Sequence, residues 1–119
     1  MSQFVETRTK TFTAGAAIAK HLRVVFSSGK LAVAPIGASG DDIGTMGQAS
    51  LADGDVVPVV LRNAQGTVLA VAASAFAQGA ALYGAAGGKV DDAASGAILG
   101  YAMEAAGADG DVIEVLRVN

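Results

Sequence analysis

A nine-residue segment occurs twice in this chain, 56 positions apart. Residues 52–60 read ADGDVVPVV, and residues 108–116 read ADGDVIEVL. In each copy an Asp-Gly turn signal leads into a run of Val and other apolar residues, which predicts a tight turn followed by a β-strand. Two copies of the same turn and strand predict a duplicated β unit.

Further matches keep the same order along the chain. Residues 17–20 match 75–78, residues 29–31 match 88–90, and residues 43–44 match 99–100. The alternative is chance similarity in a chain rich in Ala, Gly and Val. Because the matches agree in order, we predict pseudo-repeats at about residues 14–62 and 72–118, packed face to face in one small barrel or sandwich.

Short apolar runs separated by Gly- and Asp-bearing turns predict an all-β fold. Strands are expected at residues 22–26, 31–34, 55–61, 67–71, 80–83, 98–103 and 111–118, the first two forming a hairpin. Pro58 has no N–H to donate, so its strand is expected at a sheet edge or with a bulge. The Ala-rich residues 14–20 and 72–77 supply at most one or two short helical turns.

The first 13 residues are predicted to form an extended N-terminal arm ahead of a single β domain at residues 14–119. They are rich in Thr and alternate in polarity, which fits an edge strand but not a central one. Such an element can add to the sheet of another chain through main-chain hydrogen bonds. A frayed terminus is the alternative.

The net charge of −3 is unevenly distributed. Residues 1–30 have five basic side chains against Glu6 alone, a net +4, whereas residues 31–119 have three basic and ten acidic side chains, a net −7. An acidic body disfavours nucleic acid as a partner. The basic segment fits an acidic protein surface, a neighbouring copy included; charges that only maintain solubility are the alternative. The cleanest apolar run, residues 68–77, is too short to cross a bilayer, so no membrane partner is expected.

Residues suited to catalysis are scarce. The chain has no Cys and one His, His21, which is more often structural than catalytic when it is alone. The paired aspartates of the repeated Asp-Gly-Asp segments resemble part of a calcium loop, but the further ligands of such a loop are missing, so a turn is the better interpretation. Residues 84–89 have the wrong spacing for a phosphate loop. We therefore predict a protein that is not an enzyme and has no cofactor and no metal site.

The C-terminal part of the chain resembles a family of tailed-bacteriophage capsid decoration (cement) proteins, which are built around a small β barrel or tulip. The residues that carry the resemblance are 77–83 (AQGAALY), 88–90 (GKV), 96–102 (GAILGYA) and 110–116 (GDVIEVL). The similarity extends over roughly residues 14–118. No catalytic residue belongs to this pattern, so none is transferred to the chain.

The resemblance implies a structural virion protein on the exterior of the capsid, made in the host cytoplasm. Its partners would be the major capsid protein and two further copies of itself in a homotrimer, and its role would be to stabilise the shell. The resemblance also implies that the arm contacts the capsid or another subunit, through Phe4, Val5, Thr7, Arg8, Lys10 and Phe12. The alternative is a small β-barrel module that binds a ligand or carbohydrate, for which Tyr83 and Tyr101 are the available tyrosines.

Overall fold

The computed structural model describes residues 8–37 and 41–119. Within these residues the chain forms ten β-strands and one 3₁₀ turn, at Ala86–Gly88. The strands are β1 (Thr9–Thr13), β2 (Arg23–Ser27), β3 (Lys30–Val33), β4 (Gly44–Met46), β5 (Val56–Leu61), β6 (Val68–Val71), β7 (Ala81–Gly84), β8 (Val90–Asp91), β9 (Gly100–Ala102) and β10 (Val112–Arg117). The predicted all-β fold is confirmed, although β4 and β8 were not expected as strands.

The described strands form two antiparallel sheets of five strands each. The strand orders are β1-β5-β4-β2-β3 and β6-β10-β9-β7-β8, so each strand of the first sheet has its equivalent, in the same place, in the second. The predicted internal duplication is therefore confirmed. We call residues 9–61 the first unit and residues 68–117 the second unit. Each unit starts with a strand that precedes the sequence match, β1 in the first and β6 in the second.

Each sheet curls until its two edge strands meet. In the first unit a parallel bridge joins Ala14, just after β1, to Leu31 on β3. The second unit repeats this closure with a parallel bridge between Ala72 and Val90. The Ala-rich segments are therefore bends that fasten one edge to the other, because their backbone groups bond across the unit instead of along a helix.

Each unit encloses its own cluster of buried apolar side chains. The first consists of Ala14, Ile18, Val24, Leu31, Met46, Val57 and Val59. The second consists of Val68, Ala70, Ala72, Phe76, Leu82, Val90, Leu99, Ala102, Ala106, Ile113 and Val115. Each unit is thus a small barrel with its own core. The expected single core between two face-to-face repeats is replaced by two separate cores. Small side chains such as Ala and Val suit the narrow interior of a small barrel.

Pro58 is not on an edge strand, so the edge-strand alternative is wrong. β5 lies between β1 and β4. Its pairing with β4 ends where Met46 faces Val59, the residue that follows Pro58 in the chain. The carbonyl of Pro58 still accepts a hydrogen bond from the Gly47 N–H, at 2.9 Å. The sheet tolerates the proline because its missing N–H falls at the end of the β4–β5 ladder.

Gly44 and Gly100 begin β4 and β9, where a neighbouring strand passes too close for a side chain. A Cβ at Gly44 would collide with the carbonyl oxygen of Val60. A Cβ at Gly100 would collide in the same way with the carbonyl oxygen of Leu116. Both units therefore need glycine at this position to bring two strands together.

We expect Gly100→Ala to lower the free energy of unfolding by about 3 kcal/mol, because the backbone of β10 must move to admit the methyl group. Gly107→Ala is the matched control, since its Cβ would lie 3.3 Å from a movable atom, the side-chain Oδ2 of Asp111. The control should change the unfolding free energy by less than about 1 kcal/mol. Urea unfolding followed by circular dichroism measures both. Equal effects of the two substitutions would contradict the close approach at Gly100.

Candidate functional site

The residues predicted to contact a capsid or another subunit lie in two parts of the chain. Phe4, Val5 and Thr7 are outside the described residues. Arg8 directly precedes β1, and Lys10 and Phe12 lie on it. β1 is an edge strand of the first sheet and pairs with β5 of the same chain along its whole length. Its other edge turns towards β3, which the chain meets at the bridge between Ala14 and Leu31.

Arg8 and Phe12 both have partners within the chain. The Arg8 guanidinium donates to the carbonyl of Thr67, at 2.6 Å, and so links the residue before β1 to the residue before β6. Phe12 packs against the core of the first unit and makes an edge-to-face contact with Phe26, with ring centroids 5.2 Å apart. The Lys10 ammonium lies 5.8 Å from the centre of the Phe12 ring, within range of a cation–π contact.

A buried ion pair joins the two units at a surface that we call the seam. Both terminal nitrogens of Arg117, at the end of β10, donate to the two carboxylate oxygens of Asp42, at 2.7 and 2.8 Å. The two side chains are only 4% and 0% exposed. Through this pair the Asp42 carboxylate, in the loop before β4, holds the second unit. Such two-pronged pairs are strong and fix a single geometry.

Arg23 is a second buried cation at the seam, and it is fully buried on β2. Its guanidinium enters the Gly-rich loop of the second unit, where it donates to the carbonyls of Ala85 at 3.1 Å and Lys89 at 3.2 Å. Its Nη1 atom has no hydrogen-bond partner among the described residues. Burial lowers the pKa of Arg23, opposed by the nearby negative charge of Asp42. Residues 84–89, whose spacing does not fit a phosphate loop, thus bind the guanidinium of Arg23.

Sequence reasoning missed both seam arginines. A detectable signal was present at Arg23, because a charged residue inside the apolar run 22–26 is expensive to bury without partners. Arg117 gave a weaker signal, since it ends a strand where an exposed charge is ordinary.

A groove of about 240 Å³ also lies between the units. The first unit, with Arg8 just before it, contributes Arg8, His21, Thr45, Gly47 and Val60 to the lining. The second unit, with Thr67 just before it, contributes Thr67, Val68, Leu69 and Glu114. The Glu114 carboxylate accepts a hydrogen bond from the Thr67 hydroxyl at 2.5 Å.

His21 has a backbone φ of 70°, which histidine tolerates better than most residues. Burial, followed by the charge of Lys20, lowers the pKa of His21.

The Asp-Gly-Asp segments form the same turn in both units, which confirms the turn interpretation. Asp55 accepts the N–H groups of Leu51 and Ala52 at 2.7 and 3.1 Å, and Asp111 accepts those of Gly107 and Ala108 at 2.7 and 3.2 Å. Each first aspartate binds a lysine of its own unit: Asp53 with Lys30 and Asp109 with Lys89, both at 2.8 Å. The carboxylates therefore hold the turn in which they occur.

The outer face of the second sheet is exposed and apolar. Its exposed large side chains are Leu69 on β6, Tyr101 on β9, and Val112 and Leu116 on β10. They surround Glu114, which lies opposite Leu69 in the β6–β10 pairing. An apolar surface of this kind, next to one charge, is typical of a contact with another protein.

The arrangement as a whole is suited to binding. Across the described ranges no three His, Asp or Glu side chains come together as metal ligands. In the same residues no helix has the length and apolar character needed to cross a membrane. The groove brings together Arg8, His21 and Glu114, whose charged and polar groups can hold a polar group of a partner.

Comparison with known proteins identifies a family and a similar fold. A family model described as phage cement protein matches residues 3–117. Among solved structures the chain is similar to the head fiber gp8.5 N base of bacteriophage phi29, with a TM-score of 0.72 and 19% sequence identity over 92% of each chain. At this identity the likeness shows a shared fold. No curated protein sequence matches the chain.

We expect Asp42→Ala to lower the free energy of unfolding by about 3–5 kcal/mol, because Arg117 is left buried without its counter-ion. The matched control is Asp53→Ala, which breaks the exposed pair with Lys30 and should cost less than about 1 kcal/mol. Urea unfolding of both variants makes the comparison. A small effect of Asp42→Ala, similar to the control, would contradict the role given to the seam ion pair.

We expect the imidazole of His21 to titrate below its ordinary pKa of 6.5. The folded chain then binds this proton less tightly than the unfolded chain, so the group reduces stability as the pH falls through 6.5. Because His21 is the only histidine of the sequence, its NMR titration is unambiguous. Lys20→Gln should raise the midpoint, and Lys30→Gln should not. A midpoint at or above 6.5 in the unchanged chain would refute the prediction.

Proposed function

This chain belongs to the phage cement protein family, and we propose that it binds the outer surface of an assembled phage capsid, as a trimer, and stabilises the shell. The observation that carries the proposal is the family match over residues 3–117, nearly the whole chain. The proposed partners are the major capsid protein and two further copies of the chain. The proposed location is the capsid exterior, after synthesis in the host cytoplasm.

The physical features of the chain support a binding role. A cement protein stabilises a shell by mass action, because it binds the assembled lattice better than the separate subunits. Three copies around a threefold axis each present the same surface, so contacts that are weak individually add up. The duplicated barrels and the seam provide a rigid body on which such surfaces are held.

The candidate contact segment remains part of the proposal. We propose that Phe4, Val5, Thr7, Arg8, Lys10 and Phe12 belong to a segment that contacts the capsid or a neighbouring subunit. Arg8 and Phe12 already bind groups of their own chain, so their role is to anchor the segment. The residues ahead of Arg8 are then the part that reaches the partner.

A carbohydrate-binding function has less support. Sugar sites commonly place aromatic rings in a concave surface, with polar groups beside them. Tyr83 and Tyr101 are not among the residues that line the groove between the units. We therefore propose no second function.

The proposal predicts that DNA-filled capsids lacking this protein release their DNA at a lower temperature than complete capsids, and that added protein restores the heat resistance. Co-sedimentation with the capsids that lack the protein measures binding, and a DNA-binding dye measures release on heating. Capsids that neither bind the protein nor gain heat resistance from it would refute the cement function.

A shortened chain beginning at Arg8 tests the contact segment separately. It retains β1 and the Arg8 contact with Thr67. We expect at least a tenfold weaker binding to capsids, with an unchanged circular dichroism spectrum. Equal binding by the shortened and full chains would refute the role of the segment and leave the cement function intact.

A further inference from the structure

Three side chains form a row across the outer face of the first sheet. Val60 on β5 lies opposite Thr45 on β4, and Thr45 lies opposite Arg23 on β2. Their neighbours along the strands point into the core, so this row points outward. The second unit covers it: Arg23 is fully buried, Thr45 is 3% exposed, and Val60 packs against the second core.

The second sheet has the same row, but it is uncovered. Leu116 on β10 lies opposite Tyr101 on β9, which lies opposite Ala81 on β7. These are the duplicated positions of Val60, Thr45 and Arg23. Tyr101 is 38% exposed and Leu116 is 39% exposed. The same surface is therefore buried in one unit and open in the other.

The cover on the first row includes β6 of the second unit, since Val68 and Leu69 line the groove together with Thr45 and Val60. The strand equivalent to β6 is β1 of the first unit. A second copy of the chain therefore offers, in its first unit, the equivalent of the element that covers this row.

We propose that the outer face of the second sheet binds β1 of a second copy, in a head-to-tail contact that repeats the packing between the two units of one chain. This contact is the subunit interface of the trimer. The number of copies, three, is taken from the proposed function. Two different surfaces meet, so the association closes only as a ring, and three copies form such a ring.

The duplication favours this occupant over other apolar partners. Thr11 lies opposite Pro58 in the β1–β5 pairing, and Leu69 lies opposite Glu114, the duplicated position of Pro58, in the β6–β10 pairing. Thr11 therefore has the place on β1 that Leu69 has on β6, the strand that covers the first row. The side chain of Thr11 is exposed, on the face opposite to the core.

Cross-linking tests the orientation directly, because the chain has no Cys of its own. Thr11→Cys and Leu116→Cys chains are co-expressed and treated with a short bis-maleimide. We expect cross-linked dimers in the mixture and none in either variant alone. Dimers in Leu116→Cys alone would indicate two like faces in contact and would overturn the proposal, as would no dimer in the mixture. A mixture of Thr11→Cys and Leu51→Cys is the control and should give none.

Light scattering tests the face itself. We expect the unchanged chain to have three times the 11.7 kDa mass of one copy. Leu116→Asp should reduce the mass to that of one copy with an unchanged circular dichroism spectrum. The control, Leu51→Asp, changes a side chain that is 85% exposed away from this face and should leave the mass unchanged. A monomeric unchanged chain, or an oligomeric Leu116→Asp chain, would overturn the proposal.

Capsid binding separates this inference from the cement function. If the head-to-tail contact fails these tests but the chain still sediments with capsids, the cement function stands and the interface is wrong. If the contact forms but the chain neither binds nor stabilises capsids, the interface stands and the cement function is wrong.

Discussion

The ion pair between Asp42 and Arg117 joins two β units that are each small. Each unit has on the order of 50 residues, a size at which a single core is marginal, and much of each core is Ala and Val. Packing the units against each other buries more surface than either buries alone. A buried ion pair adds little net stability compared with apolar side chains, but it rejects other arrangements, because only one geometry satisfies both oxygens and both nitrogens.

The duplication has diverged at the positions that build the seam. The position equivalent to Arg23 is Ala81, that of Asp42 is Ile98, and that of Arg117 is Leu61. The first unit thus supplies Arg23 and the carboxylate of Asp42. The second unit supplies their partners, which are the carbonyls of Ala85 and Lys89 and the guanidinium of Arg117. A further copy cannot repeat this charged joint on the second unit. Any contact there must rely on apolar side chains, which agrees with the exposed Tyr101 and Leu116.

The parts of the fold that could be predicted are those encoded by neighbouring residues. The hairpin of β2 and β3 and the two Asp-Gly-Asp turns follow from local backbone preferences and side-chain hydrogen bonds. β4 and β8 were missed because they are three and two residues long, and only their neighbours in the sheet make them strands. For β4 a clue existed, since Ile43-Gly44 matches Leu99-Gly100, which lead into β9.

The sequence by itself determined the all-β class, the duplication, the turns and the absence of cysteine chemistry, because each depends on residue type over a few positions. The tertiary structure decided which charges are buried and which apolar residues are exposed. Asp42 and Arg117 are 75 positions apart, and no local pattern pairs them. Val60 and Leu116 occupy equivalent places in duplicated strands, yet one is covered and the other is open. Burial depends on what packs against a face, and that is set by the arrangement of the two units in space.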